Sequence, residues 1–354
     1  MKFQLLTQVS RYWSIALAVG GMFVAWSCSA GAACLDAPPA SASEAGLILH
    51  LSSTCSSDER EAHMVSGEAV VEAIAQGRRV DLVGVIIRGD LIFDRLAGDV
   101  TEGLNEGEDE QRFVRAALSI RDSDVWGVVR HRSPDSVLEF EGPVDFQGSR
   151  FREGVDLSHS VFQGKVELSH ATFEKEAHFV QGRFMEEVAC RETKFGPSTR
   201  FHRSTFRRSL DCKNALFDGM TEFLEVTFEQ PTTFEQARFG QGTGFSGSRF
   251  KSRVDFGEAI FSRETFFGFT VFEHETVFAG AQFLGSTDFS NAEFGQPDDL
   301  AKARFDQPPI FVQVKRPAVE QSDSLLQTRE GQYGLTLVCL IVAALLVAYL
   351  VKVK

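Results

Sequence analysis

Positive charge is scarce in this chain. Lys and Arg number 36 against 49 Asp and Glu, a net charge of -13. That argues against a nucleic-acid binder, which needs basic excess to displace counterions. Ten Pro and 30 Gly without a triplet period exclude collagen. Gly-x-Ser-x-Gly, a P-loop, a Cys-x-x-Cys pair and His-Glu-x-x-His are all missing, and with them the chemistries those motifs carry. Tyr and Trp are rare, at three each, so the 33 Phe supply most of the aromatic content. An excess of one aromatic that has no polar handle suggests one packing site copied many times. The 354 residues could hold two or three conventional domains, and 43% hydrophobic with 24% charged residues excludes a wholly disordered chain.

The two ends predict a compartment. Lys2 and Arg11 precede an uncharged apolar run from Trp13 to Trp26 and then Cys28-Ser29-Ala30-Gly31-Ala32-Ala33. This is the order of a secretory signal peptide over 1–33. The run is short for a membrane span, which needs roughly 20 residues, so cleavage near Ala30 to Ala33 is favoured over a retained anchor. A lipoprotein cut before Cys34 fits less well, because Gly31 stands where an aliphatic residue is usual. From Tyr333 to Val351 every residue except Gly334 and Thr336 is strongly apolar, Ala or Cys, which predicts a transmembrane helix over 333–351. Tyr333 and Tyr349 suit the interfaces, and Lys352 and Lys354 put the tail, 352–354, in the cytoplasm. The expected topology is a single-pass membrane protein whose body lies outside the cytoplasm, in the periplasm or at the cell surface. A polar segment, 34–65, opens the mature chain, and a juxtamembrane stalk, 306–332, precedes the span. An oxidising compartment would permit a bridge between Cys34 and Cys55.

Between Phe140 and Phe305 the large inward residues fall at spacings that alternate six and five through 31 positions, of which 26 are Phe, three Leu and two Cys. Neither the 3.6 period of a helix nor the period of 2 of a long strand produces an 11-residue unit. Two residues before each five-spaced Phe stands a small residue, as in Ser160, Ala171, Ser204 and Ala259. Before the six-spaced positions the same place prefers Val or Thr, as in Val155, Thr221, Val254 and Thr287. Residues two apart on an extended segment face the same way, so the unit contributes short inward pairs joined by corners. That is a solenoid with Phe in its interior.

Charge indicates how many faces close a coil. When each position i between 138 and 305 is set against position i+22, eleven charged pairs are opposite in sign and two are alike, whereas i+11 gives nine of each. Stacked neighbours should be complementary, so two units form one four-sided coil. Cys190 and Cys212 then become vertical neighbours in a column of Phe and Leu, and are read as packed thiols, since a dry aromatic core lacks the further ligands zinc needs.

The triads Ala171-Thr172-Phe173, Ala259-Ile260-Phe261 and Ala292-Glu293-Phe294 resemble the pentapeptide-repeat family in its Phe-rich form. The resemblance implies an all-β solenoid, a right-handed quadrilateral β-helix. The extra residue in alternate units departs from the plain five-residue pattern and is expected to loosen alternate corners. Fainter repeats, such as Val80-Asp81-Leu82 and Leu118-Ser119-Ile120, extend the β-helix to 78–305, interrupted by an acidic insertion at 97–114. A helix over 66–77 precedes it, with Gly77 at its end, and is expected to cap the first coil.

Chemistry is sparse. His159 and His170 lie 11 apart, on opposite sides of such a coil, and are read as solvated corners. The insertion lacks the spacing of a calcium loop. The best surface candidate is the column Asp156, His178, Arg200 and Glu222, which could support acid/base work or anion binding and is equally explained as a charge ladder. No cofactor, no metal site and no nucleic-acid partner are expected. The sequence therefore predicts a non-enzymatic, membrane-anchored scaffold or binding module for a protein or glycan. The alternatives are a β-helix enzyme on an extended polysaccharide or, were the topology reversed, the DNA-mimic inhibition that the family resemblance implies.

Overall fold

Alternating inward residues on segments of two or three residues can bury themselves only by stacking copy upon copy, and the chain does this about ten times. The structure is a computed structural model and describes residues 34–35, 46–96, 98–99, 110–131 and 136–317. The stretches read from sequence as a signal peptide (1–33) and as a membrane span with its tail (333–354), and most of the stretch read as a stalk, lie outside the described residues. Among the described residues no helix is long and apolar enough to cross a membrane.

Each full coil visits four sheets in turn. Face 1 includes Val144–Asp145 and Val166–Glu167, face 2 Arg150–Phe151 and Thr172–Phe173, face 3 Val155–Leu157 and Ala177–His178, and face 4 Ser160–Phe162 and Arg183–Phe184. Each strand pairs in parallel with the equivalent strand of the next coil, as in Val144↔Val166, Phe151↔Phe173, Val155↔Ala177 and Phe162↔Phe184. The 22-residue coil read from charge is the observed one. Of the eleven complementary pairs, six are ion pairs, among them Arg203–Glu225 at 2.8 Å, Lys213–Glu235 at 2.8 Å and Arg253–Glu275 at 3.0 Å.

Phe stacks on Phe down the columns, with ring centroids 4.5 Å apart and planes 2° apart for Phe228 and Phe250. Between columns the rings meet edge to face, as Phe234 does with Phe245 at 5.6 Å and 70°. Both arrangements suit the aromatic quadrupole and are worth about 0.5–1.5 kcal/mol per pair beyond burial.

Corners alternate as the spacing does. At most tight corners the inward residue's carbonyl accepts from the amide three residues on, as Phe146 does from Ser149 at 3.1 Å and Leu168 from Ala171 at 2.9 Å. The residue before that amide has positive φ, 66° at Gly148 and 59° at Asn214. His159 and His170 are two such corner residues, and His170 Nδ1 lies 3.5 Å from Glu192. The small residue that closes the turn points inward, and at Ser149, Thr193, Ser204, Ser248 and Thr270 its hydroxyl satisfies backbone in the preceding coil. Ser204 Oγ donates to the Phe179 carbonyl at 2.6 Å and accepts from the Gly182 amide at 3.0 Å. The wide corners are not loosened by their extra residue. At Gly219 the backbone of the preceding coil comes so close that a Cβ would lie 1.9 Å from the Pro197 oxygen, which only glycine tolerates.

Three boundaries differ from the sequence reading. The solenoid starts before residue 78: Leu47–His50, inside the segment read as polar, pairs in parallel with Val80–Val83 on face 1, and Val65–Ser66 with Ile86–Arg88 on face 2. Two helices join these early strands. Helix α1, Ser57–Ala62, carries a reciprocal cap between Ser56 and Glu59. Helix α2, Gly67–Ala75, starts at Ser66, whose hydroxyl accepts from the Ala69 amide at 3.1 Å, and buries Val70, Ala73 and Ile74. It occupies the stretch of chain where faces 3 and 4 would fall in the first coil. The insertion is also smaller than 97–114. Glu110–Val114 is a face 4 strand, paired with Ser136–Phe140, and turns back antiparallel on Gly98–Asp99. At the other end the stacking passes residue 305, with Ile310 bridging Asp288 and Lys315 bridging Glu293.

Removing one ring from a closed column leaves a cavity the frame cannot fill. Phe228→Ala is expected to cost about 3–5 kcal/mol, and the outward neighbour Thr227→Ala within about 0.5 kcal/mol, read as shifts of the urea midpoint.

Candidate functional site

The 22-residue register brings the predicted column together on the outer surface of face 3. Arg130 pairs with Asp156, Asp156 with His178, His178 with Arg200, and Arg200 with Glu222. Each polar group is engaged. Asp156 Oδ1 accepts from the Ser158 hydroxyl at 2.6 Å and its amide at 3.2 Å. His178 Nε2 lies 3.3 Å from Ser198 Oγ, and Arg200 Nε is 2.9 Å from Glu222 Oε2. Arg130 Nε is 3.6 Å from Asp94. The arrangement is an open strip of mixed polar and charged groups. It can hold a chain of complementary polarity laid along the coil axis.

Face 3 changes character beyond Glu222. The following outward positions are Gly244, Phe266, Asp288 and Ile310. Glycine and exposed apolar side chains take three of these four positions, and Asp288 alone among them is charged.

Two polar clusters near the start escaped sequence reading because their partners come from different coils. Asp81, buried on face 1, meets His50 at 3.2 Å, Arg121 at 3.2 Å and also Arg79. Burial pushes its carboxyl up, and His50 followed by Arg79 and Arg121 outweigh that, leaving it below its ordinary range. His131 is fully buried, with Nε2 3.1 Å from the Ser136 carbonyl and Nδ1 3.2 Å from Asp94. Burial pulls the imidazole below its ordinary value, against the raising effects of that carbonyl and Asp94.

The cysteines form two bridges. Cys34 and Cys55 are joined, with Cα atoms 5.1 Å apart. Cys190 and Cys212 are joined as well, at 4.5 Å, which corrects their reading as packed thiols. In-register stacking places two inward sulfurs one strand spacing apart, within the Cα separation a disulfide needs.

Peptide mapping without reductant is expected to recover Cys190 linked to Cys212 and Cys34 to Cys55. Each closes a loop of just over 20 residues, so replacing Cys190 and Cys212 together by Ala should remove about 3 kcal/mol of stability. His131 sets a pH dependence. Because its folded-state pKa is depressed, the unfolded chain takes up a proton that the folded chain refuses, so stability is full above the unfolded value near 6.5 and falls as pH drops below it. A melting series between pH 7 and 5 should show the decline, and His131→Asn should flatten it.

A comparison with curated proteins finds no match. Two stretches, 139–183 and 223–271, match the family described as pentapeptide repeats, in nine copies. The interval between them holds Cys190 and Cys212 in place of Phe, yet its strands keep the same register. The chain thus carries pentapeptide repeats over these two stretches, and the four-faced β-helix built from them agrees with that match.

Proposed function

We propose that this is a non-enzymatic scaffold or binding module, exported by the segment 1–33 and held at the membrane by 333–351 with the β-helix outside the cytoplasm. Helix α2 is its N-terminal cap, closing the first coil where faces 3 and 4 are missing. The observation that carries the reading is the rigidity of the outer surface. Backbone hydrogen bonds tie coil to coil and stacked rings fill most of the core columns, so outward side chains stand at a fixed pitch near 4.8 Å. Repeat surfaces of this kind bind extended partners. We assign the face 3 strip from Asp156 to Glu222 to partner contact, with a protein or glycan segment lying along it.

Affinity capture from intact envelope with the full chain as bait tests this. A specific protein or glycan should be recovered and should be lost with the double variant D156A/H178A, whose melting temperature stays close to that of the parent. Repeated capture of nothing sinks the proposal. Turnover of a polysaccharide that vanishes in the same variant would mark an enzyme instead.

A further inference from the structure

Exposed apolar side chains are unevenly placed. Among the described residues, six of the eight large exposed hydrophobics fall between Phe266 and Val312. Phe266 points outward from face 3, and Phe269 stands at the corner that follows it. Ile310 repeats the Phe266 site two coils on, Gln313 takes the corner site of Phe269 there with the exposed Val312 just before it, and Leu284 sits in the corner leading into face 3. Phe311 stacks on Phe289 as the last ring of its column.

Phe269 is the informative residue. Its φ is 58°, and every other positive-φ corner among the described residues carries glycine or a polar side chain. A non-glycine residue there costs roughly 1–2 kcal/mol, and this ring is 65% exposed, the most of any large hydrophobic described. It neither fills the core nor eases the turn, so folding does not account for it. The positions stacked against its corner are uncharged, Gly247 and Asn291 with Ser246, Gly268 and Ser290 beside them, while the charged Arg263 and Glu264 stand on the other side of the strand, in the corner leading into face 3. Asp288, stacked on Phe266 in the next coil, turns back to accept from the Ser290 amide at 2.7 Å. A cluster of exposed apolar side chains on a protein otherwise laced with ion pairs suits a lipid interface, where aromatic and aliphatic side chains enter the boundary of headgroups and acyl chains.

The chain itself favours that occupant. The described residues end at Pro317, shortly after Val312, and the apolar run begins at Tyr333. The roughly sixteen residues between span at most about 55 Å, and the Phe266 and Ile310 coils are only about 10 Å apart. We infer that the C-terminal half of face 3 rests on a lipid surface, with Phe266, Phe269, Ile310 and Val312 entering the interface. This rests on the reading of 333–351 as a membrane span.

The test uses the full chain with Trp13, Trp26 and Trp126 replaced by Phe and one reporter added, F269W or F266W on face 3 or V277W on the opposite face 1. Each variant is reconstituted in phosphatidylcholine vesicles with and without acyl-chain-brominated lipid, after its melting curve confirms the fold. Emission from F269W and F266W should be lost to the bromine while V277W keeps its emission. Unquenched emission at both 269 and 266 would overturn the inference. An alkaline carbonate wash reads the anchor separately. Retained but unquenched chain refutes the face contact alone, and chain that is quenched before the wash and released by it keeps the contact while refuting the span.

Discussion

Parallel, in-register stacking forces every residue to lie on its counterpart in the next coil, and the rest of the structure follows from that constraint. A core position cannot be filled by complementary shapes, because its neighbours above and below are versions of itself. Phe meets the condition well, since a flat ring can stack offset on an identical ring and present its edge to the next column. The same condition selects small residues at tight corners, where a larger side chain would be stacked repeatedly in a space that the turn has narrowed. Where the small residue is Ser, its hydroxyl can link the turn to the coil before it, as Ser248 does by donating to the Phe223 carbonyl and accepting from the Val226 amide. A buried hydroxyl is thereby satisfied without leaving the frame.

Outside, the constraint works against the chain unless charge alternates. Arg203 over Glu225 and Lys213 over Glu235 satisfy it, and these exposed pairs contribute more to register than to stability. Asp145 over Glu167 shows the opposite case. Burial first, with Glu167 adding to it, raises the Asp145 carboxyl above its ordinary range, while the Gln147 amide and Arg121 work against that rise. Like charges are tolerated where such counter-groups converge, and they are correspondingly few.

The central coils were legible because the constraint writes itself into the sequence as a period. Phe positions gave the unit, charges one coil apart gave the number of faces, and together they predicted which four residues share the outer column of face 3. Legibility failed where the period breaks. Leu47–His50 pairs with Val80–Val83 across an irregular interval that contains two helices, so no spacing announces it. Glu110–Val114 looked like part of an acidic loop because its inward residues are not Phe and its partner lies beyond a further interruption. Cys190 and Cys212 were legible as stacked inward neighbours, and it is the close Cα approach of 4.5 Å that makes them a bridge instead of packed thiols. Asp81 and His131 draw their partners from separate coils, and in one sequence nothing marks those partners as neighbours.

The backbone repeats with every single unit, as the positive-φ corners from Gly148 to Asn291 show, whereas the surface repeats only with every second one. Frame and surface therefore answer differently to changes in length. A gain or loss of two units adds or removes a storey and leaves every column beneath its own kind. A change of one unit keeps the corners in step and turns the remainder of the tower by half a revolution, so that the face carrying Phe266 stands over the face carrying Asp145. Lineages of such proteins can thus grow on one count and reassign their surfaces on the other, with the same interior serving both.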